Sequence, residues 1–389
     1  MSEEVAFGKW LTELRRHFHK YPELGYQEIK TSQKIREILT ELGVPFIYPV
    51  AETGVVAFLK ARSDGPVRAF RTDMDALPIE EQNNVSYRSR HQGIMHACGH
   101  DGHMAIALGI VRKLVELKWT EKGRGKILFI FQPAEEGGAG AARMLESGAL
   151  EDENVEAIYA FHLNPGLDLG KVGVAKDVSN AASDMFEIKV VGTGGHGAHP
   201  HVATDVILTT ADVITKTHHI VSRSINALDS AVVSVGSVHA GSAPNVLPSE
   251  AVIAGTIRTF REEVRKHIQD TMKEICSGIA AYSRCDIKVS FTPGYPPVVN
   301  DGKLVKRVKK IAGSVLGRNK VQTEAPRMGS EDFAYFAQKW PGVFIYLGCA
   351  FLDEPIKRLL HSPLFDFDER ALEIGVRLGT ELLLSHDEL

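Results

Sequence analysis

With 389 residues, the chain is too long for one ordinary hydrophobic core, so two domains are expected. Hydrophobic residues at 44% and charged residues at 24% describe an ordinary soluble globular protein. A net charge of −4 leaves no electrostatic footprint for nucleic acid or an anionic membrane, and no apolar run approaches the length of a membrane span. Sixteen histidines are many for this length and tilt the chemistry toward metal binding or proton transfer. The four cysteines, Cys98, Cys276, Cys285 and Cys349, are scattered with no C-x-x-C pair, which suits a reducing compartment. The N-terminus is acidic and lacks a signal-peptide core. The chain ends His386-Asp387-Glu388-Leu389, an address that matters only to a protein already in the secretory route. That ending is read as chance, and a cytoplasmic location is expected.

In chain order, Val5, Trp10, Leu11, Leu14 and Phe18 recur at helical spacing over 3–20, and Tyr21-Pro22 closes that helix. A second amphipathic helix fits 28–42 and stops at Gly43. Strands and helices then alternate: strands at 55–59 and 67–71, a helix at 102–118, a strand at 126–131, a helix near 138–147 and a strand at 155–161. Such alternation predicts an α/β fold with a mixed, mainly parallel sheet and flanking helices. From about 180 the order becomes strand (186–191), helix (204–221), two strands (231–238 and 251–257), helix (262–282) and strand (287–291). This is the ferredoxin-like β-α-β-β-α-β unit. Pro293-Gly294-Tyr295-Pro296-Pro297 reads as its exit linker. The expected organisation is a catalytic domain from residues 1–182 and 295–389 with a smaller α+β domain, 183–294, inserted between them.

The chemistry is concentrated where strands hand over to loops, the edge at which open α/β sheets bind ligands. Met95-His96-Ala97-Cys98-Gly99-His100-Asp101-Gly102-His103 holds three histidines, one cysteine and one aspartate within eight positions from His96. Cys98 and His100 precede an apolar helical stretch, whose N-terminal dipole favours a thiolate. Arg71-Thr72-Asp73-Met74-Asp75 places two carboxylates just past a strand, pointing the same way if extended geometry continues. Phe131-Gln132-Pro133-Ala134-Glu135-Glu136-Gly137 ends a strand in adjacent carboxylates. Adjacent side chains diverge, so one can bind metal while its neighbour faces a water. His162 ends another buried strand, and His361 lies near the C-terminus; either alone is commonly a structural histidine. Together Cys98, His100, Glu136, His162 and His361 exceed the four ligands of one tetrahedral zinc, and a two-metal site with a bridging ligand uses the surplus.

These segments resemble one group of enzymes. Also carrying the likeness are Arg15-Arg16-His17-Phe18-His19-Lys20-Tyr21-Pro22-Glu23-Leu24-Gly25, Gly194-Gly195-His196-Gly197-Ala198-His199-Pro200-His201, Met328-Gly329-Ser330-Glu331-Asp332-Phe333 and Leu360-His361-Ser362-Pro363. In order and spacing they resemble the metal-dependent aminoacylase/carboxypeptidase family of amidohydrolases, in the branch with hippurate hydrolase, N-acyl-amino-acid deacetylases and indoleacetyl-amino-acid hydrolases. The resemblance implies two divalent ions on Cys98, His100, Glu136, His162 and His361. Zinc or manganese is the first choice of metal; cobalt or nickel also suit such ligands. It implies Glu135 as general base and Asp75, possibly with Asp73, as the residue that orients a ligand imidazole. From the inserted domain it implies His196 as a lid histidine stabilising the oxyanion, with His199 and His201 close enough to exchange that role. Arg258 and Asn245 are expected to grip a substrate carboxylate. The role of Gly329-Ser330-Glu331-Asp332 stays open at this point.

The implied reaction is hydrolysis of the amide bond of an N-acyl-L-amino acid, with a homodimer or higher homo-oligomer formed through the inserted lid domain. The rivals are a dinuclear dipeptidase or aminopeptidase, a catalytically silent metal-binding homologue, and a protein in which metal is structural. A dipeptidase needs an acidic partner for a free α-amino group, and none is obvious beside the motifs. The acyl group, the amino acid and the metal are not legible from the chain.

Overall fold

The computed structural model describes residues 3–352 and 358–385; the four-residue ending His386-Asp387-Glu388-Leu389 lies outside the described residues. The chain divides into two compact units. One comprises Met1–Ser179, Val299–Ala325 and Asp332–Leu389, and the other Asn180–Val298 with Pro326–Glu331.

The first unit opens with helices α1 (Glu3–Lys20) and α2 (Ile29–Glu41), as their apolar spacing predicts. Strand β1 (Phe46–Val50) follows; Pro49 and a half-exposed pattern hide it from sequence reading. Then come β2 (Gly54–Lys60), β3 (Ser63–Asp73), α3 (His100–Glu116), β4 (Arg124–Gln132), α4 (Gly140–Glu146), β5 (Val155–Asp168) and β6 (Val172–Ala175). Helix α3 starts two residues earlier than expected, at His100. Strand β5 runs seven residues past Phe161, so His162 sits within a strand and not at its end.

The second unit contains β7 (Ala182–Val191), α5 (Val206–Arg223), β8 (Ala231–Ala240), β9 (Glu250–Thr259), α6 (Glu262–Ser283) and β10 (Asp286–Pro293). Its sheet is wholly antiparallel in the order β8-β9-β7-β10, the arrangement the β-α-β-β-α-β order requires. Burial alternates along β7: Phe186, Ile188 and Val190 are inside while Met185 and Glu187 face out. These side chains pack with Val213 and Ile220 of α5 and Ile268 and Met272 of α6 in a core of the unit's own.

The chain then returns to the first unit with α7 (Gly302–Leu316), β11 (Val321–Glu324), α8 (Phe333–Lys339), β12 (Gly342–Ala350) and α9 (Arg370–Leu384). The eight-stranded sheet has the order β1-β2-β4-β3-β5-β12-β6-β11. Its centre, β4-β3-β5-β12, is parallel, and β1, β2 and β6 pair antiparallel with their inner neighbours. Buried on both faces, β4 and β12 read as continuous apolar runs. Arg71 of β3 lies level with Ile130 of β4 and Ala160 of β5. Two residues on, Asp73, Gln132 and His162 therefore reach one edge of the sheet together. Among the described residues, no helix is long and apolar enough to cross a membrane.

Candidate metal centre and active site

Three loops converge on that edge. The first turns into α3 at Gly99, whose φ of 89° is a left-handed conformation that glycine tolerates without a Cβ penalty. This turn aims both Cys98 and His100 inward. The second follows β4: Ala134 (φ 49°) and Gly137 (φ 92°) fold Glu135 and Glu136 into a tight turn. The third brings in the C-terminal part of the chain, where the His361 N–H donates to the Ala97 carbonyl at 2.8 Å. His361 itself has φ 61°, a strained conformation for a non-glycine residue at a functional position.

The donor atoms of Cys98, His100 and His162 lie within 4.8 Å of one another, and so do those of Cys98, Glu136 and His361. The two groups meet at Cys98 and together use the five residues the sequence had singled out. A third group, His100, Glu135 and Glu136, puts both adjacent carboxylates within reach of one imidazole. This corrects the expectation that Glu135 and Glu136 diverge. Divergence holds for an extended strand, and the pair lies in a turn beyond β4.

Hydrogen bonds fix which nitrogen each ring can offer. The Nδ1–H of His100 donates to the Asp75 carbonyl at 2.9 Å, and the Nδ1–H of His162 to the Leu163 carbonyl at 2.9 Å. Each ring thus turns Nε2 toward the cluster, and His162 Nε2 lies 3.4 Å from Cys98 Sγ. His103 is already committed: Nδ1 is 2.7 Å from Asp73 Oδ1, and Nε2 accepts the Leu163 N–H at 2.9 Å. It locks α3 to β5 beside His162. The i, i+3 spacing from His100 is the sequence signal that could have identified it. His96 stays outside all these groups, buried with neither ring nitrogen hydrogen-bonded; burial lowers it to about 4 and keeps it neutral.

Asp73 and Asp75 act on the same ring from different positions. Asp75 Oδ1 is 3.3 Å from His100 Nδ1 and Asp73 Oδ2 is 3.7 Å from His100 Nε2. Asp75 Oδ2 also accepts the Glu136 N–H at 2.9 Å, tying the second loop to the first. Asp73 is held by Arg71, whose guanidinium donates to Asp73 Oδ2 at 2.7 Å, Gln132 Oε1 at 2.7 Å and Asp332 Oδ1 at 2.9 Å. Asp332, whose role the sequence left open, therefore anchors the arginine that steadies Asp73. The Arg-His motif at the N-terminus supports the other side. Arg15, fully buried, donates to Asp101, Asp366 and Glu369, while His19 bridges Asp101 and Glu81. Sequence reasoning used Arg15–Gly25 only as a likeness. An arginine within an amphipathic helix reads as surface until its distant carboxylates are placed.

Burial and the surrounding carboxylates set the electrostatics of this cluster. Burial opposes charge on His100, yet Asp73 and Asp75 overcome it and lift the imidazole to about 10. Burial, reinforced by Glu136 and Glu135, pushes the Cys98 thiol well above its usual value. The expected thiolate is therefore absent without an ion. The helix N-terminus is outweighed by desolvation and two carboxylates, and only a bound cation reverses that balance. Burial lowers His162 and keeps it neutral, the form that ligates. One thiol, three imidazoles and one carboxylate in two groups sharing Cys98 fit a pair of divalent ions.

In the second unit, His196 pairs with Val246 and the Gly197 N–H donates to the Asn245 carbonyl at 2.9 Å, so His196 and Asn245 are neighbours. His196 Nδ1 accepts the Ala198 N–H at 3.0 Å, which leaves the proton on Nε2. The His199 ring lies 5.2 Å from that of His196, tilted by 43°, and His201 is exposed. Arg258 projects from β9 and donates to Ser330 Oγ at 3.0 Å.

An α/β sheet with an inserted ferredoxin-like unit, and a pair of candidate ligand groups beside two carboxylates, define a metal-dependent hydrolase. The chain belongs to peptidase family M20/M25/M40, whose profile matches residues 69–385, and it is an amidohydrolase of that family. It is 40% identical over 380 residues to N-acetylcysteine deacetylase of Bacillus subtilis (strain 168), covering 97% of each chain. It is 39% identical over 382 residues to IAA-amino acid hydrolase ILR1-like 2 of Arabidopsis thaliana, covering 97% of this chain and 85% of that one. The solved YXEP protein of Bacillus subtilis, described as a dinuclear metal-binding peptidase of the M20 family, superposes with a TM-score of 0.85 at 36% identity, over 98% of each chain.

Proposed function

We propose that the protein hydrolyses the amide bond of N-acyl-L-amino acids, releasing a free amino acid and a carboxylic acid. The observation that carries this reading is the placement of Glu135, 7% exposed, with Glu136 and His100 in one donor group and the Cys98–His162 pair sharing His100. When bound, two divalent ions supply Lewis acidity, polarising the scissile carbonyl and acidifying the attacking water. Cys98, His100, His162, Glu136 and His361 hold them; zinc or manganese suits the mixed thiolate, imidazole and carboxylate set, with cobalt and nickel as further occupants to test. Glu135 removes the proton of the attacking water and passes it to the leaving nitrogen. Asp75 fixes the His100 tautomer. His196 donates from Nε2 to the developing oxyanion, and Arg258 with Asn245 recognises the α-carboxylate.

The names of the relatives support an acylated amino acid as substrate, with acetyl, benzoyl and indoleacetyl groups as the acyl moieties to screen. Activity on dipeptides in preference to these would support the dipeptidase reading instead. We place the enzyme in the cytoplasm, a reading its four unpaired cysteines favour. We assign self-association to the second unit, where Val202, Ile207, Leu208, Val238 and Val246 are exposed. In Glu135→Gln, metal content and substrate affinity should persist while turnover falls about 10³-fold or more, as expected for loss of a general base acting with the attacking water. Near-wild-type kcat in that variant removes the assignment.

A further inference from the structure

The turn that presents Glu135 is built around a left-handed alanine, and a left-handed L-residue persists only where its surroundings enforce it. Ala134 is 2% exposed, and its N–H donates to the Glu28 carboxylate at 2.9 Å. The other oxygen of Glu28 accepts the Thr53 hydroxyl at 2.6 Å, and Glu28 itself is fully buried. Around this contact the segment preceding α2 closes tightly. A Cβ at Gly25 would lie 2.9 Å from the Ala134 Cβ, and one at Gly138 would lie 2.6 Å from it. The Tyr26 hydroxyl donates to the Gly138 carbonyl at 2.6 Å, beyond the two glutamates, and the Ala76 N–H, beside Asp75, donates to the Glu23 carbonyl at 2.8 Å.

We infer that Glu28 is a positioning residue for Glu135: its carboxylate, clamped by Thr53, holds the Ala134 peptide in the left-handed conformation that aims the next side chain at the reacting centre. This rests on reading Glu135 as the general base. Among the described residues, Glu28 hydrogen-bonds to no candidate metal ligand, and it holds the turn through the backbone N–H of Ala134. Its loss should therefore act on the chemical step and leave ion and substrate binding in place. A base displaced by about 1 Å can cost on the order of 10²-fold in rate.

The experiment compares Glu28→Ala, Glu28→Gln, Thr53→Val and Glu135→Gln in the full-length, metal-loaded enzyme. Readouts are kcat, KM, metal per chain and melting midpoint, with an N-acetyl-L-amino acid that the wild-type protein turns over. Glu28→Ala should lower kcat about 50-fold with KM within about threefold of wild type and metal content unchanged. Glu28→Gln should recover to within about fivefold, because the amide oxygen still accepts the Ala134 N–H and the Thr53 hydroxyl can turn to accept from the amide nitrogen. Thr53→Val should lose roughly fivefold in kcat, and it reports on the clamp if Glu28→Ala fails to fold. In a Glu135→Gln background, adding Glu28→Ala should change the residual rate by less than about threefold, since a residue acting through Glu135 has nothing left to aim. The inference is overturned by unchanged kcat in Glu28→Ala, by equal losses in the Gln and Ala variants, by loss that tracks metal content, or by a full second loss in the Glu135→Gln background. Failure of the base reading looks different: Glu135→Gln itself would then stay active.

Discussion

At the scale of single residues, the centre binds protons where it is built to bind cations. His100, lifted to about 10 by Asp73 and Asp75 against the opposing effect of burial, and Cys98, pushed up by burial and by Glu136 and Glu135, are both protonated near neutral pH when no ion is present. Ion uptake must displace those protons, so affinity weakens as pH falls. Loading the apo-protein with zinc at pH 7.5 should release one to two protons per chain, measurable as a dependence of the calorimetric heat on the ionisation enthalpy of the buffer. Absence of proton release would contradict the protonated Cys98–His100 centre. The sign for stability runs the other way in the ion-free protein. A histidine whose folded pKa exceeds its unfolded value of about 6.5 stabilises fully below that value and loses the contribution as pH rises through about 10. Apo- and metal-loaded protein should therefore show opposite trends in denaturation midpoint between pH 7 and 10.

At the scale of elements, the metal loop is held by the helix it opens, and that helix is held by close approach. Helix α3 is buried along most of its length. A Cβ on Gly109 would lie 2.5 Å from Val376 of α9 and 2.8 Å from Leu11 of α1, while Gly375 and Gly379 of α9 leave room for Ile106 and Ile110. Small residues on both helices let their backbones approach, and side-chain volume there has no place to go. Gly109→Val should destabilise by about 2–3 kcal/mol through overpacking, read from denaturant midpoints, and should weaken metal retention because His100 and Asp101 begin the same helix. An unchanged midpoint would mean that the interface is loosely packed. Helix α3 was legible from its apolar spacing, and so were α1, α2 and the parallel strands β3, β4 and β5. Strands β1, β6 and β11 were not. They are short, half-exposed or interrupted by proline, and their pairing rests on neighbours distant in the chain.

At the scale of the whole molecule, all five candidate metal ligands and Glu135 belong to the unit made from both ends of the chain, whereas the Asn180–Val298 unit carries its own core. A ligand that binds only the folded form stabilises whatever cooperative unit contains its site. Calorimetry should therefore show a transition that rises with added divalent ion and a second that does not, and chelation should reverse the first alone. A single transition moving as one would mean that the two units unfold together. The sequence by itself determined the strand–helix alternation, the inserted β-α-β-β-α-β unit and the residue types of the centre, because periodicity and local chemistry are written in neighbouring positions. Only the tertiary structure decided that Glu135 and Glu136 share one turn, that His103 ties Asp73 to the Leu163 backbone, that Asp332 steadies Asp73 through Arg71, and that Glu28 reaches Ala134. Each of those depends on the register of parallel strands and on buried contacts between segments tens to hundreds of residues apart, and chain-local patterns carry no record of such distances.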